Sequence, residues 1–419
     1  MFDGTVELPA GHVLAFDPES SRIELMAGGL RNPLDIAFNR EGELFTFDAD
    51  MERDVGTSWY MPTRVLHVVP GADFGWRRGT GRFPSWYADT LPSVVDIGLS
   101  SPTGICFGYG ARFPEKYENA LYILDWSYGR ILAIHMQSQG ASYSATQETF
   151  ISGRPLNVTD ACIGPDGAMW FITGGRGTQS GLYRVTSSAK PSTNATAFLK
   201  SEPQFQLRKL RRELEVLHPN DADQIFHAIR HLDHPDRFIR HAARLAIERA
   251  PTQLWKEEIL GESNGWRGIL GSLALARVGQ SADRSGILSR LNSLSFKDLR
   301  VEQKLAVLRT LSVTLARLGD PTPDETSSLL AWLEPIYPAA EREMNQELCR
   351  LLIRLGSKQV LAKTLPMLRD ATASEDLIFY PMHLRYLKDG WSLDSKRIVF
   401  EALNRAEKHN GASTYFKSI

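Results

Sequence analysis

GGLRNPLDIAFNREGELFTFDADMERDVGTSWYMPTRVLHVVPGADFGW, residues 28–76, is the stretch from which the fold can be read. A Gly-Gly turn leads into Arg31-Asn32-Pro33, and an apolar run follows over residues 34–38. Asn39-Arg40-Glu41-Gly42 reads as a turn before a second apolar run, 44–47. An acidic, aromatic loop over 48–60 then leads to a third run, 64–69. Short β-prone runs joined by Gly, Pro and Asp turns predict an antiparallel meander. Alternate connections of a meander share a face, so the Arg-Asn turn and the long loop after the second strand lie at one end.

The pattern recurs. Residues 102–126, PTGICFGYGARFPEKYENALYILDW, and 158–173, VTDACIGPDGAMWFIT, repeat the layout of 33–50. Third strands follow at 64–69, 130–135 and 181–185, and fourth strands at 93–97 and 146–151. A further pair, 12–16 and 22–26, precedes the first full copy. These units predict about three and a half four-stranded blades of a β-propeller. A ring needs about four to eight blades to close, so the expectation is an N-terminally truncated propeller. Gly164-Pro165-Asp166-Gly167 reads as a turn at the opposite end, with Trp170, Phe171 and Tyr183 as packing residues.

Composition changes near residue 187, where Gly, aromatics and period-2 runs give way to Leu, Ala, Arg and Glu at helical spacing. The reading is a multidomain β + α chain: a partial propeller over 1–186, a linker over 187–203, and an all-α HEAT-like solenoid over 204–419. His227, His231, His234 and His241 cluster in the first helices. They lack the Glu-x-x-His spacing of a helical metal site and read as solvated helical histidines.

The formal charge of -1 gives no field for nucleic acid or a membrane surface. No apolar run reaches the roughly 18 residues of a transmembrane segment, and no signal peptide is visible in this chain. The three cysteines have neither CxxC nor CxxCH spacing, so they make no zinc ribbon or haem attachment motif. Cys106 and Cys162, each in an apolar strand, are expected as buried thiols. GGRGTQSG, 174–181, lacks the Lys-Ser/Thr ending of a phosphate loop.

Connection parity puts six loops on one face, supplying Arg31, Asn32, Asp48, Asp50, Arg53, Asp54, Trp59, Asp125, Trp126, Tyr128, Arg154, Asp160, Arg176 and Gln179. Several Arg, several Asp and indole rings suit an anionic or polyhydroxylated planar ligand, because guanidinium forks pair with carboxylates and rings stack on sugars or cofactors. Asp48-x-Asp50 with nearby carbonyls offers the oxygen ligands Ca²⁺ requires, or is an ordinary pair of loop or turn carboxylates.

RNPLDIAFNREGELFTFDAD, followed by a strand and PGADFGW, resembles the glucose/sorbosone dehydrogenase family, the soluble quinoproteins built as six-bladed propellers. SPTGICFGYGARFP…NALYILDW and TDACIGPDGAMWFIT…GLYRVT resemble its later blades. RFIRHAARLAIER, ELCRLLIRLGS and LRYLKDGWSL are similar to the helical region of large exported, membrane-bound-type dehydrogenases of planctomycete-like and verrucomicrobial lineages. In those proteins a c-type cytochrome domain often follows. The resemblance implies oxidation of a sugar, or a related alcohol or aldehyde, by pyrroloquinoline quinone (PQQ) held with Ca²⁺. It also implies a periplasmic or exported location and a cytochrome c electron acceptor. Arg31-Asn32 match the family's quinone-contacting turn; Trp126, Arg154 and Arg176 are the further candidates for the quinone, and Asp48 and Asp50 for the metal. Three departures stand out. Asp48-Ala49-Asp50-Met51 replaces a Gln-Gly-Pro backbone, and Asn157 and Thr159 replace an Arg pair. The family's general-base His belongs to an early blade, which neither His12 nor His67 matches. The chain alone is therefore expected to be inactive. The alternative is a non-catalytic glycan- or protein-binding propeller with a solenoid scaffold.

Overall fold

The computed structural model describes residues 10–50, 60–77, 81–189, 203–263 and 265–408. It divides into two compact units, 1–85 with 90–213, and 86–89 with 214–419. Arg53, Asp54 and Trp59 lie outside the described residues.

The first unit is mostly antiparallel sheet. Its strands are β1 (Gly11–Asp17), β2 (Arg22–Leu30), β3 (Ile36–Phe38), β4 (Leu44–Asp48), β5 (Thr63–Val68), β6 (Ala72–Asp73), β7 (Trp76–Arg77), β8 (Gly81–Arg82), β9 (Val95–Gly98) and β10 (Pro102–Phe107). After a short helix α1 (Glu115–Glu118) come β11 (Leu121–Asp125), β12 (Arg130–Gln139), β13 (Ser142–Ser152), β14 (Val158–Ile163), β15 (Met169–Gly175) and β16 (Thr178–Val185). Two sheets are four-stranded, β3-β4-β5-β9 and β10-β11-β12-β13, and β14-β15-β16 is three-stranded. The meander pattern sets this order, since each turn returns the chain beside the strand it has just left.

Alternation explains why the middle sheet reads as an unbroken apolar run. Leu121, Ile123, Leu132 and Ile134 pack against Phe45, Phe47 and Val65 of the first sheet. Tyr122, Leu124, Ile131 and Ala133 pack against Val158, Met169 and Phe171 of the third. Both faces are therefore core, at ~1.5–3 kcal/mol for each large side chain buried. The flanking sheets are less covered: Phe38, Ile172 and Leu182 are exposed.

The excursion after β5 was not anticipated from sequence. β6 pairs in parallel with β2 through Ala27–Ala72 and Gly28–Asp73, and β7 pairs with β8. Gly29 (φ 72°) permits this approach, because a Cβ there would collide with the Asp73 carboxylate and the backbone of Phe74 and Gly75. Cys162, expected buried, is exposed, because β14 turns alternate residues outward from the end sheet; Cys106 is half-buried.

Helix α2 (Pro203–Glu215), which the sequence reading set at the head of the helical region, groups with the first unit up to Glu213. It presents three arginines to two acids that flank Gly42. Arg208 bonds Glu41 at 2.7 and 3.0 Å, while Arg211 and Arg212 bond Glu43 at 2.6 and 2.5 Å.

The second unit comprises α3 (Ala222–Arg230), α4 (Arg237–Arg249), α5 (Lys256–Gly261), α6 (Gly265–Val278), α7 (Arg284–Asn292), α8 (Val301–Arg317), α9 (Pro323–Leu333), α10 (Arg342–Arg354), α11 (Val360–Asp370), α12 (Ser374–Leu384) and α13 (Leu393–Glu407). Asp221 and Asp236 cap α3 and α4 through backbone N–H groups. Residues 86–89 pack among these helices. Asp89 is buried and takes two bonds from Arg309 at 2.9 and 2.7 Å. Tyr87 lies 4.0 Å from the Arg309 guanidinium, and Trp86 donates its indole N–H to the buried Glu347 at 3.1 Å. The histidines are less solvated than the sequence suggested: His227, His231 and His234 are half-buried and His241 is buried. No group of three metal-binding side chains forms among the described residues. None of the described helices is long and apolar enough to cross a membrane.

Candidate functional site

Strands β4, β11 and β15 all finish at one end of the first unit, and the sheets are joined there by a repeated device. Asp48 ends β4 opposite Arg64 of β5; Asp125 ends β11 opposite Arg130 of β12. Each carboxylate reaches back to the turn that enters its own sheet. Asp48 accepts the backbone N–H of Arg31 and Asn32 at 3.0 and 2.9 Å and a bond from Arg64 at 3.3 Å. Asp125 accepts Ser101 N–H at 2.9 Å and Arg130 Nε at 2.7 Å. The starts of β3, β10 and β14 are tied side by side. Ile105 N–H donates to Asp35 at 3.1 Å, and the Thr103 hydroxyl donates to Val158 O at 2.9 Å.

The third sheet ends in glycines where the others carry Asp, and its loop meets the second sheet through an aromatic side chain. Trp126 donates its indole N–H to Gly174 O at 2.7 Å. Its own carbonyl accepts the Asn157 amide at 3.1 Å, and Gly174 N–H returns to Asn157 O at 2.9 Å. Arg176, at the tip of the β15–β16 turn, sits 5.0 Å above the indole ring. Gly175, Arg176 and Gly177 have φ of 100°, 50° and 77°. A left-handed arginine between two glycines is uncommon, and such strain concentrates where a side chain must be aimed.

The sequence-selected residues thus separate into two groups at this end. Arg31 and Asn32 are gathered on Asp48 with Arg64, while Trp126 and Arg176 are gathered with Asn157. Arg154 is exposed on the β13–β14 loop. Asp160 is exposed and accepts the N–H of Ala161. Asp50 is buried, near Tyr60, whose hydroxyl is pushed up to about 12 by burial and by the Asp50 and Asp96 charges.

The surroundings of Asp48 bear on calcium binding through local chemistry. Asp48 is 1% exposed and already holds two N–H groups and a guanidinium. Burial and the neighbouring Arg64 charge lower Arg82 to about 10, against the upward pull of Asp96 and Asp48. A divalent cation would have to displace Arg64 to reach this carboxylate. The described donor set therefore does not fit Ca²⁺ at Asp48. Arg176 is exposed and lies over the half-buried indole of Trp126, so its charge faces solvent at this end.

Sequence reasoning missed the buried chain at the opposite end. His67 Nε2 bonds Glu43 and its Nδ1 bonds the Ser142 hydroxyl, both at 2.9 Å. The residue types are those of a hydrolytic triad, but all three are buried and Arg211 and Arg212 hold the carboxylate. A strand histidine with an acid 24 residues upstream is a weak signal, because the α2 arginines that complete the network lie over 130 residues away.

No family model matches the chain, and no curated protein matches it. Solved structures do. An oxidoreductase named as a glucose dehydrogenase from Thermus thermophilus is 22% identical over 38% of this chain and 47% of its own, with a TM-score of 0.31. The PQQ-bound form of aldose sugar dehydrogenase from Streptomyces coelicolor is 17% identical over 38% and 44%, TM-score 0.29. A third, named glucose dehydrogenase, is 19% identical over 41% and 49%, TM-score 0.33. The chain spans just under half the length of each.

Proposed function

We propose that the first unit is part of a sugar-dehydrogenase-like propeller, its sheets acting as blades, and that the second is a HEAT-like scaffold. In this reading the end carrying Trp126 and Arg176 holds a planar, carboxylate-bearing quinone of the PQQ type, in an exported protein that passes electrons to a cytochrome. The observation that carries it is the Trp126–Arg176 stack, welded by three loops at the end where the Arg31-Asn32 turn is clasped. The quinone-family motifs quoted above support it from sequence. When bound, such a quinone accepts a hydride equivalent from a sugar hydroxyl carbon. The chain's own residues orient it: Arg176 pairs with a carboxylate, Trp126 supplies the stacking face, and Asn157 fixes the loop beneath. No step is assigned to Ca²⁺.

Equilibrium dialysis with PQQ tests the reading. The expected result is saturable binding, weakened about tenfold, or ~1.4 kcal/mol, in Arg176→Gln and in Trp126→Leu. Equal binding by all three proteins would overturn it. One observation favours a second reading, glycan binding: Tyr128 is exposed beside the indole loop, with Arg130 at 5.2 Å from its ring. Glucose binding without quinone binding would select that alternative.

A further inference from the structure

Away from the sheets, α5, α6, α7 and the segment after α7 enclose a cleft of about 430 Å³, with Glu262, Ser263, Arg290, Ser293, Ser295 and Asp298 on its walls. Arg290 is 8% exposed. Its Nη1 donates to the Ser293 hydroxyl at 3.0 Å, while Nε and Nη2 have no hydrogen-bond partner among the described residues. Those two atoms form one edge of the guanidinium and present two parallel N–H groups, the geometry that accepts two oxygens of one carboxylate or phosphate. Leaving them dry costs free energy, since a buried charge is tolerated only when paired.

The sequence makes room for this arginine. A Cβ at Gly268, in the first turn of α6, would overlap the Arg290 guanidinium. The group therefore lies against the positive end of a 14-residue helix, where a second positive charge is unfavourable and an anion is stabilised. Burial lowers the pKa of Arg290, and the Glu262 charge opposes that only in part. Glu262 is itself 3.9 Å from Arg267. Together with Asp298 it restrains the negative charge the cleft accepts, and both can receive hydroxyl groups carried by the same ligand.

We propose that this cleft binds a small oxyanion, a carboxylate or a phosphate, on the Nε–Nη2 edge of Arg290. The site is independent of the quinone reading, lying wholly within the helical unit.

Thermal melting of the full chain tests it, with sodium phosphate and sodium acetate each compared with sodium chloride at matched ionic strength. A saturable rise in Tm with phosphate, acetate or both is expected, because a ligand of the folded state stabilises it. The responding salt identifies the anion class. Arg290→Gln should abolish the rise. Gly268→Ala, which favours the helix but pushes the guanidinium out of its seat, should abolish it too. No rise beyond sodium chloride in the wild type, or a rise retained in both variants, would overturn the proposal.

Discussion

Glu43 is a buried acid held by His67, Arg211 and Arg212. Burial alone would raise its pKa, but the His67 hydrogen bond and the Arg211 and Arg212 charges outweigh that and hold it at about 2, against an ordinary 4.5. A depressed carboxylate stabilises the fold above its unfolded pKa, and that contribution fades as pH falls from about 4.5 through about 2. His67 acts in the same direction. Burial lowers its pKa, so below about 6.5 the unfolded chain gains a proton that folded His67 refuses. Because Glu43 only accepts, His67 Nε2 carries the proton and Nδ1 receives the Ser142 hydroxyl. Glu43→Gln leaves the Arg211 charge buried, and should destabilise by ~3–5 kcal/mol at pH 7. Chemical denaturation across pH should show that gap closing between pH 4.5 and 2; a pH-independent gap would mean the carboxylate charge is not the cause. Arg176 poses the opposite case, strain kept for aim. Arg176→Gly removes a left-handed non-glycine, so Tm should hold or rise while quinone affinity falls; a lowered Tm would show the side chain to be structural.

At the scale of elements, the Asp–Arg clasp is the unit that repeats. The sequence put both aspartates at the heads of loops that parity assigns to one end, and the structure bonds each to the turn entering its own sheet. The sequence did not show that Asp48 is consumed by Arg64, because the loop between them obscures that the two residues face each other across β4 and β5. Asp48→Ala should therefore cost ~3–5 kcal/mol by stranding Arg64, with or without Ca²⁺ present. A calcium-dependent Tm rise that vanishes in this variant would restore the metal assignment. Residues 86–89 were equally illegible. SWYAD reads as an ordinary loop, and only the helices reveal Asp89 held at about 2, where Arg309 and further arginines outweigh the upward push of burial. Asp89→Ala should lower hydrogen-exchange protection in α6, α8 and α10; unchanged protection there would reduce the segment to a passive connection.

Across the whole molecule, local periodicity was a better guide than charge. The meander strands were readable because period-2 runs bounded by Gly and Pro leave few alternatives. The helices were readable because Leu, Ala, Arg and Glu recur at helical spacing. What escaped the sequence was long-range and polar: the Glu41 and Glu43 pairs to α2, the parallel β2–β6 contact, and the exposure of Cys162. Each depends on a partner that no local pattern announces. The central claim, that the loop end around Trp126 is a quinone-binding face, also rests on such distant residues meeting. Hydrogen exchange of the full chain with and without PQQ tests it most directly. The account predicts protection confined to peptides covering 125–130, 152–160 and 173–181, lost in Arg176→Gln. No protection, or protection elsewhere with these loops unchanged, would contradict it.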